Sequence, residues 1–423
     1  MTHRFVGEGS PTASLTQKEI HSIIEEATPA HLFSGKRLLV LTPDATRSCP
    51  LPMMIRVVRE VIGSRCASLD FMVSLGTHPI MPEEKILELY GITPGQRQAK
   101  FGNSRFFNHH WELPESFHRM GYLTEEEVES ISGGHFRETV PIDINRAIYD
   151  YDLILILGPV FPHEVVGFSG GAKYLFPGIS GGEFLHFFHW LGAVLTCKEI
   201  IGIKDTPVRR LIHQALERIP VPVHSLAMVV GRDDSLCGLY AGDPINSWSK
   251  AADLSARVHV VTKKTPYRIV LGRSPRMYDE IWTAGKVMYK LEQVVADGGT
   301  LIIYAPHIRE VSRVWGGHIE KVGYHVRDYF LGQMERFIEV PRGVLAHSTH
   351  VRGLGTYVEG VERPRIDVVL ATGIPKVVCE KINLGYMNPD DVKISDYINK
   401  EDSGILFVDH AGEILYRLEE AAR

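Results

Sequence analysis

The 423-residue chain is 44% hydrophobic and 23% charged, the composition of a soluble globular protein, and its length predicts two or three domains rather than one. No apolar run is long enough to span a bilayer, and a net charge of −5 without a long basic stretch argues against nucleic acid or an anionic membrane surface as partner. The five cysteines, Cys49, Cys66, Cys197, Cys237 and Cys379, are odd in number and far apart, which excludes a disulfide framework or a paired-cysteine metal site.

The opening residues hold no basic stretch followed by an apolar one, so a cytoplasmic protein is expected. A helix over 14–27 begins with a capping box from Thr16 to Glu19. Short apolar runs then alternate with helical stretches: a strand at 37–41, a helix at 53–62, a strand at 68–74 and a helix at 83–90. DLILIL at 152–157 is a continuous apolar run of the kind a buried parallel strand requires. The pattern restarts near residue 263, with a strand at 267–271, a helix at 278–296 and a strand at 300–304 after an Asp-Gly-Gly turn. A helix at 311–322 and strands at 366–371 and 405–408 follow. Such alternation builds mostly parallel sheets covered by helices, so the fold class is α/β with two such domains.

Three polar clusters directly follow strands of the first half, at the sheet edge where open α/β folds bind ligands. In LTPDATR, Asp44, Thr46 and Arg47 can grip a phosphorylated or polyhydroxy ligand; the plainer reading is a helix-capping aspartate and a surface arginine. His78 follows the next strand in SLGTHP, where Gly76 lets the chain turn; a lone histidine there is commonly a hydrogen-bonded structural residue. GPVFPHEVVGFSGGAKYLFPG at 158–178 packs His163, Ser169, Gly170, Gly171 and Lys173 together. Glycines at this density permit close backbone approach to an anionic ligand, and a lysine among them can bind that anion or act as a nucleophile. GFSGG also fits a nucleophile elbow with Ser169 as nucleophile, although that elbow requires the serine immediately after a strand. His186 and His189 share an apolar helix, and a neutral imidazole is a good ligand for nickel, copper, zinc or iron. In WTAGK, Lys286 lies one turn after Trp282 and Thr283, where a solvated lysine on a helix face is the plain alternative.

Taken in order, these blocks resemble the lactate racemase family of nickel-dependent 2-hydroxyacid racemases: DATR at 44–47, GTH at 76–78, PHEVVGFSGGAK at 162–173, PG at 177–178, His189 and WTAGK at 282–286. The ten-residue spacing from His163 to Lys173 and the sixteen from Lys173 to His189 are the most specific part of the likeness. The resemblance implies a nickel-pincer nucleotide, pyridinium-3-thioamide-5-thiocarboxylic acid mononucleotide, which holds Ni2+ through two sulfurs and a ring carbon. It implies that Lys173 forms the thioamide tether and His189 the fourth nickel ligand. Asp44, Thr46 and Arg47 would hold ribose and phosphate, with Ser169, Gly170 and Gly171 packed close. His78 and His163 would be paired general acid/bases, and Lys286 with Thr283 would bind the substrate carboxylate beside Trp282. The implied chemistry oxidises the 2-hydroxyacid to a planar 2-oxoacid and returns hydride to either face, which avoids removing a very weakly acidic α-proton.

On this reading residues 1–262 form the N-terminal cofactor-binding domain, with 403–423 available to complete it, and 263–402 form a C-terminal domain contributing substrate-binding residues. The active site is expected in the cleft between them. Pro79 stands where the family commonly has arginine, Trp282-Thr283 replaces its usual Tyr-Gln pair, and no tryptophan follows Trp315. These departures argue against lactate and leave room for a larger or more polar 2-hydroxyacid, such as malate or a sugar acid, with Arg273 and Arg276 as candidates for a second carboxylate. Expected partners are a small 2-hydroxyacid and cofactor-biosynthesis proteins, with a homo-oligomer left open. A serine hydrolase using Ser169 and a non-catalytic nucleotide- or metal-binding relative stand as alternatives.

Overall fold

Chain-contact density in the computed structural model, which describes residues 5–231 and 233–419, divides the chain into two units. The first holds the residues up to Phe161, Phe168–Leu185 and Pro207–Val258; the second holds Pro162–Gly167, His186–Thr206 and the chain from His259 onward.

The first unit is built on a seven-stranded sheet in the order Phe5–Gly9, Leu236–Gly242, Val223–Val230, Leu153–Pro159, Arg37–Thr42, Ser68–Val73, Phe106–Asn108. The last five strands of that order are mutually parallel, and the first two are joined on by antiparallel pairing at one edge. Leu153–Pro159 is buried along its whole length at the centre, as its unbroken apolar run requires. Helix Gln17–Ala27 starts at the expected capping box and turns Ile20, Ile23, Ile24 and Ala27 inward, the spacing of one helical face. Helix Leu51–Ile62 buries Leu51, Met54, Ile55, Val58 and Ile62 in the same way. Parallel pairing carries the loops after residues 42, 73 and 159 to one end of the sheet.

The second unit has a five-stranded, all-parallel sheet in the order Gly385–Tyr386, Asp367–Thr372, Val295–Ala305, Tyr267–Arg273, Ile405–Val408. Residues 297–299 do not form the expected turn. Val295–Ala305 is one strand in which they make a bulge, with Gly298 at φ 72° and the register shifting between Tyr267 and Ile269. The helix expected at 311–322 forms only at Gly316–Val322, because the carbonyls of Glu310 and Val311 accept from Ile281 and Trp282 at the start of helix Ile281–Leu291.

The C-terminal segment completes the second unit and not the first, contrary to the expected arrangement. Ile405–Val408 pairs with Tyr267–Arg273, and Leu415–Leu418 pairs with Val260–Lys263. Residues 186–206 join the same unit because Cys197 and Ile201 are buried in the core that holds Val270, Met288 and Leu415. No helix among the described residues is long and apolar enough to cross a membrane.

Candidate active site

In the first unit the loops after three parallel strands are tied together by named hydrogen bonds. Oδ1 of Asp44 accepts from the Thr46 backbone at 3.0 Å and from the Thr46 hydroxyl at 2.7 Å, and Oδ2 accepts from Nδ1 of His78. Burial alone would raise the Asp44 carboxyl, but the charge and hydrogen bond of His78 and the two bonds from Thr46 hold it well below the ordinary carboxylate range. The turn carrying His78 is fixed at both backbone groups: its N–H donates to Leu75 at 2.9 Å, and its carbonyl accepts from the Trp111 indole at 2.8 Å. Asp44 is thus held by partners within the chain, and its carboxylate orients the His78 imidazole.

Lys173 lies half-buried on the turn Gly171–Tyr174. Its carbonyl accepts from Gly178 at 3.0 Å, and the Gly178 carbonyl accepts from Gly76 at 2.9 Å, so one glycine joins the Lys173 loop to the His78 turn. A Cβ at Gly178 would lie 2.3 Å from the Tyr174 carbonyl oxygen, which leaves no room for a side chain. Tyr174 packs beneath Gly158, where a Cβ would lie 2.0 Å from its hydroxyl.

Gly170 and Gly171 pack tightly on the side where a side chain would stand. Gly170 has φ 82° and lies against Val160, while Gly171 has φ 58° and a Cβ on it would come within 2.8 Å of the Trp248 Cβ. Ser169 is similarly committed: its hydroxyl accepts from the Phe161 N–H at 2.9 Å and donates to the Pro159 carbonyl at 3.3 Å. Both partners are backbone groups and no imidazole among the described residues is hydrogen-bonded to it, so the hydrolase reading lacks its base.

Sequence reasoning missed the groups that hold this loop. Arg209 is buried, donates to the carbonyls of Phe168 and Gly170, and stands 4.0 Å over the Trp248 ring. Burial pulls its guanidinium down to about 9. The Trp248 indole donates to the Ser169 carbonyl at 2.8 Å, so three successive carbonyls ahead of Lys173 each have a long-range donor. Nothing local in VRRLIHQ distinguishes Arg209 from a surface arginine.

The second unit carries the remaining candidates. His163 is buried, and its Nδ1 accepts from the Val165 N–H at 3.2 Å, with a Glu164 carboxylate oxygen 3.5 Å from the same nitrogen. Its segment is pinned by Lys290, also buried, whose ammonium donates to Pro162 at 2.8 Å and Gly412 at 3.2 Å. His186 and His189 share helix Gly182–Leu195 but differ in surroundings. The His186 ring lies edge-on to Trp315 at 5.9 Å, and burial, with the nearby Arg342 charge, lowers it to about 4. His189 lies edge-on to Phe188 at 5.0 Å.

On helix Ile281–Leu291 the buried Lys286 ammonium is 4.5 Å from the Tyr278 ring centroid, and the Thr283 hydroxyl donates back to Glu280 at 3.0 Å. Trp282 stacks on His347 at 4.1 Å and tilts against Trp315 at 6.2 Å, so Trp315 joins the aromatic group beside WTAGK. Arg273 is paired with Asp409 through two contacts on an exposed surface, which removes it as a free carboxylate receptor. Among the described residues no group of three or more His, Cys, Asp or Glu is arranged to hold a metal unaided.

Residues 7–199 match the lactate racemase N-terminal domain. The chain is 24% identical over 288 residues to the lactate racemase of Thermoanaerobacterium thermosaccharolyticum, covering 64% of this chain and 60% of that protein. It is 23% identical over 302 residues to the lactate racemase of Lactiplantibacillus plantarum, covering 68% and 65%. The matches thus span less than two thirds of either curated relative. A crystal structure of a Thermotoga maritima protein is 31% identical and superposes with a TM-score of 0.89 over 97% of this chain and 100% of that one. The lactate racemase apoprotein of T. thermosaccharolyticum, 19% identical, shares the fold with a TM-score of 0.70 over 94% and 92%.

Proposed function

This chain belongs to the lactate racemase family, and from that premise we propose that it is an isomerase that inverts C2 of a 2-hydroxyacid with the help of a nickel-pincer nucleotide attached to Lys173. The observation that carries the reading is the bonded chain of loops in the first unit: Asp44 holds His78, and the His78 turn is joined through Gly76 and Gly178 to the Lys173 loop. A proton-transfer group and a tethering amine held in one hydrogen-bonded frame are what such an enzyme needs and what a simple nucleotide binder does not.

The residues present fit the group. Arg47 and Thr46 supply a cation and a hydroxyl for a phosphate and ribose, the glycine-packed turn presents the Lys173 amine, and His189 supplies one neutral nitrogen donor. When bound, the cofactor supplies an acceptor for the hydrogen on C2. His78 and His163 handle the proton of the C2 hydroxyl, and Lys286 neutralises the substrate carboxylate from a buried position, where its charge acts with little screening. Arg273, paired with Asp409, is not available for a second carboxylate, so the preference for a larger 2-hydroxyacid rests on Pro79 and Trp282-Thr283 standing where the family has other residues.

Protein produced with the cofactor-biosynthesis proteins and fed substrate deuterated at C2 tests the proposal. The epimeric product should keep its deuterium in ordinary water, and peptide mapping should find the added mass on residue 173. Complete exchange of the label with solvent would replace the reading with simple proton abstraction.

A further inference from the structure

Tyr174, the residue after Lys173, places a phenol at the end of the first unit's sheet. Along the central strand Leu153, Leu155 and Leu157 face the helix-covered core, so Gly158 faces the opposite side of the sheet. The Tyr174 ring fills the space that a side chain at 158 would occupy, since a Cβ there would run into its Oη, Cζ and Cε2. The glycine that closes the DLILIL run is therefore what admits the phenol to the sheet surface. Leu41 pairs with Ile156, and the same parallel register carried two residues further sets Pro43 beside Gly158. The loop of Asp44, Thr46 and Arg47 thus begins next to the Tyr174 hydroxyl, and the groups whose charges act on the phenol belong to that loop: Cys49, Arg47 and Asp44.

Two groups at this place have no partner. Among the described residues the Tyr174 hydroxyl makes no hydrogen bond and the Arg47 guanidinium no ion pair, and both residues are partly exposed. Asp44, the carboxylate that acts on the phenol, has its oxygens on Thr46 and His78. Burial raises the phenol well above its usual range, so at neutral pH it offers an O–H and not a negative charge. A hydroxyl donor beside a guanidinium, neither with an acceptor from the chain, suits an anion with several oxygens.

We propose that Tyr174 is a further ligand of the cofactor, donating its hydroxyl to the nucleotide phosphate that Arg47 also holds, with Gly158 as the floor that admits the ring. This rests on the nucleotide reading and extends it: Lys173 tethers the pyridine ring and the next residue steadies the phosphate, so one turn of chain fixes the ligand at two points.

Cofactor-free protein and nicotinate mononucleotide, a pyridinium mononucleotide without sulfur or metal, test the proposal without reference to activity. Nicotinate riboside, which lacks only the phosphate, is the control. In titration calorimetry wild-type protein should bind the mononucleotide more tightly than the riboside. Tyr174→Phe, which keeps the ring over Gly158, should weaken the mononucleotide about 10- to 100-fold, the loss of one hydrogen bond to a charged group, and leave the riboside unchanged. In protein labelled with 13Cζ-tyrosine, the resonance missing from Tyr174→Phe should move with the mononucleotide or inorganic phosphate and stay still with the riboside. Gly158→Ala, which evicts the ring, should lose the same binding, and full binding in it would remove the floor. Equal mononucleotide affinity in wild type and Tyr174→Phe, or an equal loss for the riboside, overturns the proposal and leaves the nucleotide reading standing. Wild-type protein that binds neither ligand removes both.

Discussion

Gly171→Ala isolates the cost of presenting Lys173. Gly171 has φ 58°, and an added Cβ would approach the Cβ, Cγ and Cδ1 of Trp248 to 2.8, 2.9 and 3.1 Å. The left-handed conformation costs an alanine roughly 1–2 kcal/mol, and forcing a methyl into a filled core costs about 1–3 kcal/mol more, so the total is about 2–5 kcal/mol. Gly133 is a built-in control: it has φ 68° at a helix C-terminus with nothing within 4 Å of the place a methyl would take, so Gly133→Ala carries only the backbone cost. Urea denaturation followed by far-ultraviolet circular dichroism should give Gly171→Ala a lower midpoint than Gly133→Ala, separated by about 1–3 kcal/mol. Because Lys173 follows two residues later and its N–H is bonded to Gly170, mass spectrometry should also show reduced cofactor attachment in Gly171→Ala but not in Gly133→Ala. Equal stabilities, or full attachment in a destabilised Gly171→Ala, would show that the glycines do not set the lysine.

Burial lowers His347 to about 3. Its unfolded-state value lies near 6.5, so its contribution to stability is complete above about pH 6.5 and is lost as pH falls toward 3; His347→Phe, which keeps an aromatic face for Trp282, should reduce the slope of stability against pH between 6 and 4 by up to about 1.4 kcal/mol per unit. An unchanged slope would mean the ring is not held neutral. Nickel content of loaded protein should fall in His189→Ala and persist in His186→Ala, because His186 is turned against Trp315; the opposite pattern would exchange their roles. Lys290→Met leaves the Pro162 and Gly412 carbonyls without this donor and should cost about 2–4 kcal/mol in chemical denaturation, with His163→Gln adding less than its full effect on activity in the double variant. Additive losses would separate Lys290 from the His163 turn.

Much of the first unit is legible in the chain because its signals are local: the DLILIL run, the Thr16–Glu19 cap and the apolar face of 51–62 each name their own structure. The same holds for the loops after the strands, since parallel pairing fixes which end they occupy. What cannot be read there depends on residues distant in sequence. The packing of Val160 and Trp248 against Gly170 and Gly171 is one such feature. That Asp44 is bonded to His78, 34 residues away, is equally invisible in the sequence. Arg209 and Lys290 read as surface cations because buried ones are rare, and only their carbonyl partners reveal them. The bulge at 297–299 deceives for a related reason, as Asp-Gly-Gly marks a turn unless a neighbouring strand is waiting to pair through it.

The division of the chain has a consequence for how the protein is made and cut. The first unit has all its strands once residue 258 has been synthesised, whereas the second lacks the partners of Tyr267–Arg273 and Val260–Lys263 until Ile405–Val408 and Leu415–Leu418 emerge. His163 and His189 therefore wait, unassembled, for the last part of translation, while the Lys173 turn can close much earlier. Any truncation near residue 262 would strand two internal segments, 162–167 and 186–206, with Cys197 and Ile201 deprived of their core. A protein with two such units can be split into working halves only by moving those segments, so domain swaps within the family must exchange three pieces of chain where a linear reading would exchange one.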